Sequence, residues 1–94
     1  MMHGLMVHVR ISPPLRRLCD RNSSLSGEGS SVREVLSDAL QEYPELSSKL
    51  FPTGVQLDPR IQILLNKSAL ADGGLDTELE PGAVIDVIFF IGGG

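Results

Sequence analysis

With 94 residues, 41% of them apolar and 21% charged, the chain has the size and make-up of one globular domain with a modest core. A net charge of −4 argues against nucleic-acid binding by the chain as a whole, because attraction to phosphate needs a basic surface. The lone cysteine, Cys19, has no internal disulfide partner, no signal-peptide pattern opens the chain, and no apolar stretch approaches the roughly 20 residues that cross a bilayer. A cytoplasmic protein without a membrane anchor is therefore expected.

Leu5 to Ile11 alternates, with Leu5, Val7, Val9 and Ile11 on one face and Met6, His8 and Arg10 on the other, the period of a strand with one buried face. Pro13 and Pro14 end it by removing two backbone donors, and residues 15–24 read as a basic, polar loop. A second strand is expected over 24–28, paired back on the first, although Gly27, Gly29 and the serines weaken the signal. Ser31 followed by Glu34 forms a capping box, and Val32, Val35, Leu36, Ala39, Leu40 and Tyr43 make one helical stripe. The helix is expected over 32–43, stopping before Pro44, which then opens a short second helix over 44–50. Residues 51–59 read as a loop. A third strand spans 60–66 with Ile61, Ile63 and Leu65 on one face, then a turn and a short strand at 69–71. Asp72-Gly73-Gly74 is a turn, and residues 75–79 form an irregular or 3₁₀ segment that drops Leu75 and Leu79 into the core. Glu80-Pro81-Gly82 has turn chemistry. The last strand, from Ala83 to Ile91, is almost continuously apolar and leads directly into Gly92, Gly93 and Gly94.

Within that strand Asp86 marks an outer face. If it is solvated, Ile85, Val87, Phe89 and Ile91 point to the core and Val84, Ile88 and Phe90 point out, which offers an apolar docking patch; a central strand covered on both faces is the rival reading. The basic residues Arg10, Arg16, Arg17 and Arg21 lie early, and after Lys67 only acids follow, so the acidic last third either steers a basic partner or is simply a solvated surface. Cys19 lacks a His and carboxylate constellation and reads as structural. His3 and His8 have no third ligand nearby, and Gly73-Gly74 lacks the pattern of a phosphate loop.

The order of strand, strand, helix, strand, short strand, strand predicts an α+β protein of β-grasp (ubiquitin-like) architecture, a mixed sheet with one main helix packed across it. The first and last strands should lie side by side and parallel, in a single domain spanning 1–94 with a flexible glycine tail over 92–94.

The layout resembles the ubiquitin-like sulfur carriers of the ThiS/MoaD type. The resemblance rests on the alternating first strand, the capped helix with its Tyr43-Pro44 exit, Ile63-Leu64-Leu65-Asn66 at the end of the third strand, Leu79-Glu80-Pro81-Gly82-Ala83-Val84 before the last strand, and the terminal Gly93-Gly94. Pro81 and Ala83 stand where the family commonly has acids, and no proline separates Phe89-Phe90-Ile91 from the glycines. The length, and the long segment between helix and third strand, look more like the MoaD or cysteine-synthesis carriers than the shorter ThiS type.

The resemblance implies that the Gly94 carboxylate is adenylated by a ThiF/MoeB-like partner, converted to a thiocarboxylate and used to deliver sulfur to a downstream acceptor enzyme. That acceptor would serve molybdopterin, thiamin, cysteine or a secondary metabolite. The carrier itself would have no catalytic residues, no metal and no bound cofactor; ATP and the sulfur source belong to the partner. Gly92 and Gly93 would thread the tail into the partner's channel, because glycine has no Cβ to collide with the walls, and Gly92 to Gly94 reaches roughly 10 Å when extended. Leu64, Ile88 and Phe90 would dock the partner. Two rivals remain: a protein modifier that forms an isopeptide bond through Gly94, and an interaction domain that never uses its tail.

Overall fold

The computed structural model describes residues 5–70 and 74–89. Expectations for His3, Ala71, Asp72, Gly73, Phe90, Ile91, Gly92, Gly93 and Gly94 therefore fall outside the described residues.

Five strands form one mixed sheet: β1 (Leu5–Ile11), β2 (Ser24–Gly29), β3 (Ile61–Leu65), β4 (Ser68–Ala69) and β5 (Val84–Phe89), in the order β2-β1-β5-β3-β4. β1 and β5 run parallel in the interior of the sheet, as the element order requires, and the other neighbours are antiparallel. The alternation in β1 does what a half-buried strand should do: Val7, Val9 and Ile11 are buried, while Met6, His8 and Arg10 are exposed. This is the expected β-grasp layout.

Helix α1 (Val32–Ala39) lies on the core face of the sheet, burying Val32, Val35, Leu36 and Ala39. Its start follows the capping box in part. The Ser31 hydroxyl accepts from the Glu34 N–H at 3.2 Å, but the Glu34 carboxylate reaches past the N-cap to accept from the Ser30 N–H at 2.8 Å and the Ser30 hydroxyl at 2.9 Å. The helix ends four residues earlier than expected. Leu40 caps it, two turn residues follow, and Tyr43 becomes the N-cap of α2 (Pro44–Leu50). Pro44 keeps Tyr43 out of helical angles (φ −131°, ψ 69°), and the helix has already closed at Leu40, whose N–H reaches the Leu36 and Asp38 carbonyls. Leu40 still reaches the core and Tyr43 packs against it, so the stripe predicted the right face.

The stretch expected to be a basic loop contains a 3₁₀ helix, Pro13–Cys19, which drops Leu15 and Cys19 into the core. Two prolines at its start cost nothing, because the first amides of a helix have no internal partner. Asp20 and Arg21 adopt left-handed angles (φ 56° and 61°) that turn the chain toward β2.

β3 is one residue shorter at each end than expected. Asn66 and Lys67 take positive φ (51° and 71°), the geometry of a two-residue hairpin turn, and β4 begins at Ser68. Asn66 also clamps the start of β5: its N–H donates to the Val84 carbonyl at 2.9 Å and its side-chain oxygen accepts from the Val84 N–H at 3.0 Å. A 3₁₀ turn at Gly74–Asp76 precedes β5, with Leu75 and Leu79 packed partly against the core. The Glu80-Pro81-Gly82 turn closes through Ala83 N–H to Glu80 carbonyl at 3.1 Å, with Gly82 at φ +87°, an angle that only glycine takes without strain.

Candidate functional site

β5 is the strand that leads to the glycines, and neighbours on both sides hold it in register. His8, Val9, Arg10 and Ile11 of β1 align with Val84, Ile85, Asp86 and Val87, while Leu65, Leu64, Ile63, Gln62 and Ile61 of β3 align with Ile85 to Phe89. The β1 ladder continues past that strand's end. The Ser12 N–H donates to the Val87 carbonyl at 3.0 Å, and the Ser12 hydroxyl accepts from the Phe89 N–H at 3.2 Å. Each bond made this way resists fraying, so β5 is held in place as far as Phe89.

The Phe89 ring marks that point. It is half-buried and packs partly against the core, as the alternation requires. The Lys49 ammonium lies 4.7 Å from its centroid and the Arg60 guanidinium 5.6 Å, both within cation–π range. Arg60 is tied in turn to Asp58, which accepts from the Arg60 backbone N–H at 2.8 Å and pairs with its Nε at 3.5 Å. The Arg60 N–H bond, aided by the nearby Arg60 and Lys49 charges, keeps the Asp58 carboxyl below its ordinary range.

The outer face of the sheet carries Leu64 and Ile88, two of the three residues expected from the sequence to dock a partner. Ile85 and Val87 are buried in the core, and Val84, Asp86 and Ile88 face the other way. Asp86, however, is not an open, solvated carboxylate. Only 9% of the residue is exposed, and Arg10 on the neighbouring strand holds it through two hydrogen bonds, Nε to Oδ1 at 2.6 Å and Nη2 to Oδ2 at 3.1 Å. The pair keeps Arg10 still more firmly protonated, first through the hydrogen bond and then through the Asp86 charge. The apolar side chains beside it are correspondingly half-buried: Leu64 is the direct cross-strand neighbour of Asp86, and Ile88 lies two positions along, opposite Gln62. The structure thus brings Leu64 and Ile88 onto one face of adjacent strands. Phe90, Gly92, Gly93 and Gly94 continue the chain outside the described residues.

Cys19 is buried, with its thiol 3.5 Å from the Asn22 carbonyl, and burial pushes the thiol pKa up. A buried thiol held protonated is a packing residue rather than a nucleophile. Among the described residues, no three His, Cys, Asp or Glu side chains gather where they could hold a metal, and no helix is long and apolar enough to cross a membrane. Arg10, Ser12, Lys49 and Arg60 were not singled out as site residues in the sequence. Arg10 carries a signal in hindsight, because a parallel pairing of β1 with β5 brings Arg10 beside Asp86. Lys49 and Arg60 come from separate elements, and no local pattern links them to Phe89.

The model of the ThiS family matches residues 9–94. Among solved structures, small archaeal modifier protein 1 from Methanosarcina acetivorans is 27% identical, with a TM-score of 0.85 over 99% of this chain and 100% of that one. CysO from Mycobacterium tuberculosis is 26% identical, with a TM-score of 0.79 over 90% and 99%. The complex of subunits 1 and 2 of the molybdopterin-converting factor from Helicobacter pylori includes a chain 25% identical, with a TM-score of 0.62 over 95% and 99%. No curated protein matches the sequence significantly.

Proposed function

The chain belongs to the ThiS family, and from that premise we propose that it is a ubiquitin-like sulfur carrier whose working group is the Gly94 carboxylate. A carboxylate is a poor electrophile until it gains a leaving group. In this reading a Gly94 oxygen attacks the α-phosphorus of ATP in a ThiF/MoeB-like partner, and pyrophosphate leaves. Sulfide sulfur then attacks the acyl carbon, the carbon–oxygen bond to AMP breaks, and Gly94 is left as a thiocarboxylate with release of a proton. The thiocarboxylate sulfur passes to an acceptor enzyme. The chain supplies the acyl group and a docking surface, and the partner supplies the ATP site and the catalysis, in the cytoplasm.

The observation that carries the proposal is the family match running through residue 94, joined to a braced interior strand that the sequence continues into Gly92-Gly93-Gly94. Leu64 and Ile88, with Phe90 beyond them, are the residues proposed to meet the partner. The Helicobacter pylori relative was solved with a second subunit, which supports a protein partner for this chain as well.

A second reading is favoured by one specific observation: the relative that is 27% identical is named a modifier. In that reading a lysine amine displaces AMP and an isopeptide bond forms through Gly94. Both readings need the tail. Incubated with ATP and the adenylating enzyme of its own genome, the full chain should stimulate pyrophosphate release, and the chain lacking Gly93 and Gly94 should not. Undiminished release from the truncated chain would contradict both. ATP-dependent adducts of higher mass containing this chain would favour the modifier.

A further inference from the structure

Charge is distributed along the strands. β1 and β5 both run toward the tail end of the sheet, whereas β2 and β3 run away from it. Arg10 near the end of β1, Arg16 in the 3₁₀ helix after it, and Arg60 just before β3 therefore gather where β5 runs out, and Lys49 joins them over the Phe89 ring. Asp86 occupies Arg10 and Asp58 pairs with Arg60, so the group keeps net positive charge. Glu28, Glu34, Asp76, Glu78 and Glu80 lie toward the opposite end. Glu28 pairs with Met6 at the start of β1, Glu34 and Glu78 flank the start of α1, Asp76 pairs with Arg33 in its first turn, and Glu80 precedes β5. In a chain of net charge −4, Arg10, Arg16, Lys49 and Arg60 thus cluster around the end of β5, with Glu45 one helical turn before Lys49.

We propose that Arg16, Lys49 and Arg60 form a cationic collar around the root of the tail, and that the collar docks against an acidic rim on the enzyme that takes the tail in. The inference rests on the carrier reading given above. Arg16 is fixed by its Nε donating to the Ile11 carbonyl at 2.9 Å, and it lines an open cleft with Arg10, Ser12, Asp86 and Ile88. Lys49 and Arg60 are fixed over Phe89 on the core side of the same strand. Cations thus flank both faces of β5 at its end. Rim charges of this kind act mainly on the encounter rate and on partner choice. The acids at the far end repel the same acidic rim, so the molecule approaches tail first. An acidic protein rim, rather than a nucleic acid, is the occupant, because the carrier reading sends the tail into an enzyme and a chain of net charge −4 offers an extended polyanion only this small cluster of cations.

The test is the rate of ATP-dependent adenylation of the full chain by the adenylating enzyme of its genome, at low and raised salt. The double variant Arg16→Glu, Lys49→Glu should lose roughly tenfold in kcat/KM at low salt with kcat little changed, and added salt should narrow the gap. The single variant Lys49→Gln should show a smaller loss of the same kind. Glu78→Lys with Glu80→Lys, at the far end, should not slow the reaction. A double variant that keeps the wild-type melting temperature and is adenylated as fast as wild type at low salt would overturn the collar. If wild type itself is never adenylated while the enzyme works on another carrier, the carrier reading fails, and the collar fails with it. If the double variant is processed normally but loses binding to single-stranded RNA, the patch serves a polyanion and the protein-docking inference is wrong.

Discussion

Gly27 lies where β2 presses onto α1. A Cβ built there would meet the Val35 carbonyl oxygen and the Ala39 side chain and backbone, and one at Gly29 would meet the Glu34 Cβ and the Glu34–Val35 backbone. The obstacle is backbone, which cannot swing aside as a flexible side chain can. Gly27→Ala should therefore cost about 1–3 kcal/mol, the range for overpacking a tight contact. At about 4–8 °C per kcal/mol for a domain of this size, the loss is easily read by thermal melting. An unchanged melting temperature would mean that the strand and helix do not touch as described. In the sequence these glycines weaken the strand signal, since glycine is a poor strand former. Only the helix lying across them explains their presence, and a helix contact is not written in the strand's own pattern. Asp86 teaches the same point from the other side. Its place in the alternation correctly assigned Ile85 and Val87 to the core, but solvation did not follow, because Arg10 is 76 positions away in the chain and reaches it only after the parallel pairing forms.

At the scale of elements, α1 shows what local chemistry can announce. Ser31→Ala removes the acceptor for the Glu34 N–H and should cost about 1 kcal/mol, as N-cap losses typically do. The Glu34 carboxyl has its pKa lowered from an ordinary 4.5 by the Ser30 backbone N–H and then by the Ser30 hydroxyl. A carboxyl with a depressed folded-state pKa contributes stability in full above its ordinary value and loses it as the pH falls through the depressed one. Glu34→Gln should therefore be less stable than wild type near neutrality, and the difference should shrink as the pH falls below 4.5. Thermal melts of the two proteins across that range would check this, and a constant difference would contradict it. Helix starts are legible because the cap and its partner are three residues apart. The end of α1 was less legible: its stripe continues through Tyr43, but the turn before Pro44 interrupts the helix while leaving those side chains facing inward. The 3₁₀ helix after β1 was missed because Pro13-Pro14 signals the end of a strand and carries no information about the conformation of residues 15–19.

Across the whole molecule, the order of elements was enough to name the fold, since a parallel pairing of first and last strands with one helix laid over them leaves few arrangements of the rest. Charge distribution was not legible in the same way. The acids beyond Lys67 suggested an acidic last third, yet Glu78 and Glu80 precede β5 and lie away from its outgoing end, which is flanked by Arg16, Lys49 and Arg60. Strand direction, not sequence position, decides which charges flank the end of β5. Leu64 and Ile88 share a face because the antiparallel register sets Leu64 opposite Asp86, two positions before Ile88, and the docking role proposed for them depends on use of the tail. The direct measurement is the intact mass of the chain after incubation with ATP, sulfide and the adenylating enzyme of its own genome. The account predicts the mass gain of one sulfur replacing one oxygen, abolished when Gly94 is removed; an unchanged mass, with the enzyme shown active on another carrier, would contradict it.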